Sequence, residues 1–253
     1  MSSPVLPGAE PWSHHGSTAV GALVLHGFTG NPSSVRILAE ALGAAGHHVE
    51  LPRLPGHGTV VDDMYDTGWA DWTGEVAAAH ERLRARVDTI VVAGLSMGGS
   101  LTLWAGLHLP DIVGLVCVNP LTVPQPDVVL EMIDEMLEEG TQILPGIGSD
   151  IADPEAVEIS YEGTPLQPLA SLMRDGVATM TDRYGELRVP LRLFTSHQDH
   201  VVEPANSEHL AATYGGPVEH TWLERSYHVA TQDYDKHLIV DETLAFVARV
   251  TGA

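Results

Sequence analysis

The chain has 253 residues, of which 34 are acidic and 12 basic, giving a formal charge of −22 at pH 7. Such a surface repels phosphate backbones and anionic headgroups, which argues against nucleic-acid or electrostatically held membrane partners and favours a neutral small-molecule substrate. The lone Cys117 excludes an internal disulfide; no apolar run approaches the roughly 18 residues of a spanning helix, and no signal peptide is legible, so a cytoplasmic chain without a stable membrane anchor is expected.

In chain order, residues 21–25 (Gly-Ala-Leu-Val-Leu) predict a buried strand that ends in His26-Gly27-Phe28-Thr29-Gly30. Trp69, Trp72, Val76, Ala79 and Leu83 recur at three- and four-residue spacing and predict a helix whose aromatic residues serve the core. Residues 89–93 (Thr-Ile-Val-Val-Ala) predict a second strand. Gly94-Leu95-Ser96-Met97-Gly98 follows, and then a helical stretch over 100–107. A strand, a Gly-x-Ser-x-Gly turn and a helix together make the nucleophile elbow of α/β-hydrolases. The turn forces the serine into a strained backbone and brings neighbouring chain so close that only glycine fits two residues to either side. Ser96 is therefore the candidate nucleophile.

Residues 112–118 predict another strand, which buries Cys117. From Asn119 to about Leu187 the alternation of strand and helix breaks. That excess predicts a small insertion, roughly residues 120–187, into one α/β domain spanning residues 1–253. Its sheet should be mostly parallel, with helices on both faces. Met132, Ile133, Met136, Leu137, Ile143, Leu144 and Ile147 give the insertion a strongly apolar side, suited to an acyl chain or to gluing a cap onto the body.

Residues 189–195 predict a strand that places Asp199 at its C-terminal end. Residues 217–223 predict the next strand and put His228 on the loop after it. Val240, Leu244, Val247 and Val250 predict a closing helix. A serine hydroxyl needs a base to take its proton and an acid to orient that base, and in this fold they follow in the order serine, acid, histidine. Asp199 and His228 meet that order, whereas Asp233 and Asp235 come after the histidine. Of the other histidines, His220 lies inside a strand, and His197 and His200 sit too near the acid. His237 falls on the last helix, and His14 and His15 precede the first strand. The oxyanion hole should use two backbone N–H groups, those of Met97 and Phe28.

With these segments in view, the chain resembles the bacterial monoacylglycerol lipases, a branch of the α/β-hydrolases close to small bacterial carboxylesterases. The resemblance runs along nearly the whole chain. It rests on residues 26–30, 51–59, Asp71-Trp72, 94–99, 199–202 and 226–231, and on the insertion segment 148–162. It implies hydrolysis of a monoacylglycerol to fatty acid and glycerol through an acyl-enzyme, with no cofactor or metal. It also implies that Glu158 senses the glycerol hydroxyls and that Ile147 borders the leaving-group exit. Two alternatives stay open: a short-chain carboxylesterase of broad specificity, and a non-catalytic ligand-binding protein on a hydrolase fold.

Overall fold

The computed structural model describes residues 3–146 and 149–252. Its centre is a seven-stranded sheet made of β1 (Trp12–His14), β2 (Val20–Leu25), β3 (His48–Leu51), β4 (Thr89–Leu95), β5 (Ile112–Val118), β8 (Leu191–Ser196) and β9 (Val218–Leu223). The strand order is β1-β3-β2-β4-β5-β8-β9, and all neighbours are parallel except β1 against β3. The mostly parallel sheet expected from the sequence is therefore present, extended at one edge by two short strands that its hydrophobic pattern did not announce.

The sheet is covered on both faces, and strand alternation sorts the core into two halves. Along β4, Ile90 and Val92 pack with one half, and Val91, Ala93 and Leu95 with the other. The first half is covered by α2 (Trp69–Arg84) and α3 (Met97–His108), which contribute Trp69, Trp72, Val76, Leu83, Leu101 and Leu103. The second is covered by α1 (Arg36–Ala44) and α8 (Lys236–Thr251), through Leu38, Leu42, Phe246 and Val247. Trp72 is fully buried, as a core role requires, and its indole N–H donates to Pro55 O at 3.1 Å. α7 (Ala205–Thr213) connects β8 to β9.

Between β5 and β8 the chain forms α4 (Asp127–Glu138), a two-stranded hairpin of β6 (Ile143–Pro145) and β7 (Gly163–Pro165), and α5 (Leu166–Ser171). A π-helical stretch, Leu172–Val177, and the short α6 (Ala178–Met180) continue from α5. α4 is amphipathic, burying Leu130 and Ile133 and exposing Val128 and Met132. Among the described residues no helix is long and apolar enough to cross a membrane.

Candidate active site

Ser96 stands between the last residue of β4 and the first of α3, with φ 57° and ψ −120°. That conformation is costly for a residue with a Cβ and survives only where the surroundings impose it. The surroundings are visible. A Cβ on Gly94 would overlap the carbonyl oxygen of Gly98, and one on Gly98 would overlap that of Leu25. Both glycines are required by close approach of backbone. Met97 opens α3, so its N–H has no acceptor inside the helix and is free for a ligand oxygen. Phe28 lies on the loop after β2, and it, Ser96, Met97 and His228 all line one cavity of about 500 Å³.

Asp199 and His228 sit on the loops after the adjacent parallel strands β8 and β9. His228 Nδ1 lies 2.7 Å from Asp199 Oδ2. The other carboxylate oxygen accepts from Val201 N and Val202 N at 2.9 and 2.8 Å. Both oxygens are thus occupied, and both side chains are almost fully buried. A carboxylate held this way accepts a hydrogen bond from Nδ1–H, keeps the proton on that nitrogen and leaves Nε2 as the basic nitrogen. Among the described residues the Ser96 hydroxyl makes no hydrogen bond to His228, a bond that in such sites commonly tightens only with substrate in place.

The loop carrying His228 is fixed by residues that local sequence pattern did not single out for this role. Asn119, at the end of β5 with φ 44°, donates to His228 O (2.8 Å) and to Ser196 Oγ (3.0 Å). Asp233 accepts from Tyr227 N (2.8 Å), and Asp235 from Ser226 Oγ (2.9 Å). Their signal is purely spatial. Asn119 is 109 positions from the carbonyl it holds, and nothing in a one-dimensional pattern marks that pairing.

Glu158 also lines the cavity, 3.6 Å from where a Cβ on Gly30 would stand. Burial pushes its carboxyl above the ordinary range, and the nearby His228 opposes that shift. Ile147 lies outside the described residues. The remaining walls are mainly apolar and include Met132, Ile133 and Met136 of α4. Two histidines near Phe28 are held uncharged by burial. His26 and His57 are both fully buried, and burial lowers His57 to about 4 and His26 well below its usual value. His26 Nε2 accepts from Leu54 N (3.1 Å), and His57 packs edge-on against Phe28 and Trp72.

A seven-stranded sheet carrying a serine elbow, with an acid and a histidine on later strand ends, defines an α/β-hydrolase. The profile of the family described as serine aminopeptidase, S33, matches residues 20–235. The chain belongs to that family and is a hydrolase. It is 42% identical over 98% of its length to the thermostable monoacylglycerol lipase of Bacillus sp. (strain H-257), of which it covers 98%. It is 28% identical to a carboxylesterase of Bacillus subtilis (strain 168), over 90% of this chain and 92% of that one. A solved structure from work on the metagenome-derived lipolytic enzymes LipS and LipT superposes with a TM-score of 0.89 at 42% identity, over 97% of this chain and all of the other.

Proposed function

We propose that the protein hydrolyses monoacylglycerols to fatty acid and glycerol through an acyl-enzyme on Ser96. The observation that carries this reading is His228, paired with Asp199, sharing a mainly apolar cavity with Ser96 and two carboxylates, Glu158 and Asp150. The volume suits one small ligand. The relative from Bacillus sp. (strain H-257), itself called a monoacylglycerol lipase, supports the same substrate class.

In this reading His228 Nε2 takes the Ser96 proton as the oxygen attacks the ester carbonyl, and Asp199 stabilises the imidazolium that forms. The oxyanion is held by Met97 N–H and Phe28 N–H. His228 then protonates the departing glycerol oxygen. Water repeats the sequence, attacking the acyl-enzyme while His228 again serves as base, and the fatty acid leaves. We read residues 120–187 as the cap of a single domain, with Met132, Ile133 and Met136 facing the acyl chain and Glu158 accepting hydrogen bonds from glycerol. The chain itself supplies every proton-transfer group the two half-reactions use.

The sequence similarity to a carboxylesterase keeps one rival specific: a short-chain esterase that ignores glycerol. A hydrolysis panel separates the two. Monoacylglycerols of medium or long chain should be cleaved faster than di- and triacylglycerols and faster than ethyl esters of the same acid. A preference for acetyl or propionyl aryl esters, with no gain from glycerol, would replace the proposal with the rival.

A further inference from the structure

The acid and the base come from loops after two strands whose pairing ends at Ser196 and Leu223, so the sheet itself does not fix those loops against each other beyond that point. Asp150, from the insertion, spans them. Its Oδ2 accepts from His228 N (3.0 Å) and from His200 N (3.1 Å), the residue after Asp199. Its Oδ1 lies 2.8 Å from His200 Nδ1. Its main-chain oxygen accepts from Val229 N at 3.1 Å. The residue is 8% exposed, and its side chain meets three donor positions. One carboxylate therefore holds a peptide N–H on the acid loop and another on the base loop, next to a triad contact of 2.7 Å.

We propose that Asp150 is a positioning residue for the triad, setting the separation of Asp199 and His228 rather than merely fastening the insertion to the body. This rests on the reading of Ser96, Asp199 and His228 as the catalytic groups. Other anchors of the same segment do the fastening: Asp233 accepts from Ala152 N (2.8 Å) and Asp153 N (3.0 Å), and Asn31 Nδ2 donates to Ile159 O. Without Asp150 the two N–H groups lose their shared acceptor. Asn119, Asp233 and Asp235 still hold the His228 loop, but the Asp199 loop is released from it, and misplacement near 1 Å costs about a hundredfold in rate.

The test uses Asp150→Ala and Asp150→Asn in the full-length protein. Each is assayed for kcat and KM on a monoacylglycerol and on an aryl ester of the same acid. The low-field proton resonance of His228 Nδ1–H is followed by NMR, and its loss in His228→Ala assigns it. Asp150→Ala should lose about 10- to 100-fold in kcat on both substrates, with KM within about twofold, and should broaden or shift that resonance. Asp150→Asn, whose amide oxygen still accepts from both N–H groups, should recover most of the rate and the resonance. Normal kcat with an unmoved resonance in Asp150→Ala, or a defect confined to KM, overturns the proposal. Should the alanine variant fail to fold, Asp150→Ser carries the same comparison, since its hydroxyl is too short to bridge both loops. Full turnover in His228→Ala would instead sink the triad reading on which the proposal stands.

Discussion

Two segments of the insertion, α4 and residues 149–162, are held by different physics. The first, built on α4, meets the body through apolar side chains such as Leu130 and Ile133, while Val128 and Met132 stay exposed. The second, residues 149–162, is tied by directed hydrogen bonds to the loops of Asp199 and His228 and to the loop after β2. Asp150 reaches the loops of Asp199 and His228, and Tyr161 N donates to Thr29 O at 3.1 Å on the loop after β2. Tyr161 Oη also accepts from Thr59 N (3.1 Å) and donates to Gly56 O (2.8 Å). Apolar packing is non-directional and tolerates a sliding, variable ligand. Hydrogen bonds at fixed lengths set register. One segment is built as an adaptable roof over the cavity, the other as part of the frame that holds the reacting groups.

The largest effect sets the baseline for both halves. Ser96→Ala should cut turnover by roughly 10⁴-fold or more on every ester while leaving the melting temperature near normal, and should abolish labelling by a serine-directed phosphonate. Because the triad acts as a unit, Ser96→Ala combined with His228→Ala should be little worse than either alone. A folded Ser96→Ala protein with normal turnover removes the nucleophile assignment.

Next in size is an effect on stability at the loop that the frame half grips. Folded His57 titrates near 4, below the ordinary 6.5, because burial disfavours its charge. The unfolded chain therefore takes up the proton first, and stability falls as pH drops from about 6.5 to about 4. The share of His57 should be about 3 kcal/mol, and buried His26 adds to the loss in the same direction. Denaturant melts at pH 7 and pH 5 should show it. His57→Gln should make the pH dependence shallower, with the His26 contribution remaining, and an unchanged slope would mean that other groups govern acid unfolding.

Two substitutions then set frame against roof. Glu158→Ala should lower kcat/KM for monoacylglycerols by about 10- to 100-fold, the worth of a charge-assisted hydrogen bond, and spare ethyl esters of the same acid. Its carboxyl is raised by burial, so the folded state disfavours the charge and stability is lost as pH climbs through the ordinary carboxylate range. Glu158→Gln should accordingly melt higher than the parent at neutral pH. Equal losses on both ester types would make Glu158 a support of the frame only. Met136→Ser, on the roof, should cost about tenfold on long-chain esters, close to the worth of one buried methionine side chain, and nothing on acetyl esters. Chain-length preference that does not move would remove α4 from the acyl site. The smallest effect concerns the whole surface. With a charge of −22, added monovalent salt should raise the melting temperature slightly by screening self-repulsion, and a falling curve would count against that account.

Local devices are legible in the chain, and contacts between distant segments are not. The elbow is a local steric device, so Gly94, Ser96 and Gly98 announce it within five residues. The central strands are continuous apolar runs, and the helix of Trp69, Trp72, Val76 and Leu83 carries its own period. Asp199 and His228 were found by order along the chain and by strand ends, and the structure brings them within 2.7 Å. β3 was not visible as a strand, because its four residues include Glu50, buried beside Arg82 and Arg86 from more than thirty positions away. Asp150 was hidden for a similar reason. Among 34 acids it differs only by the company it keeps in space. Directed polar contacts between distant segments leave no period, and that is the physics that makes the frame.

β5 and β8 are parallel neighbours, so the chain between them has to cross from one end of the sheet to the other whatever else it does. Extra length in such a crossing adds little closure entropy, about 0.6 kcal/mol for each doubling. Changing the length of the turn between α4 and β6 therefore costs the body little, whereas an insertion within 149–162 displaces Asp150 from Tyr161 and shifts the loops of Asp199 and His228 against the loop after β2. Substrate range in such a chain can drift by editing one end of the crossing, with the chemistry insulated from the change by the other.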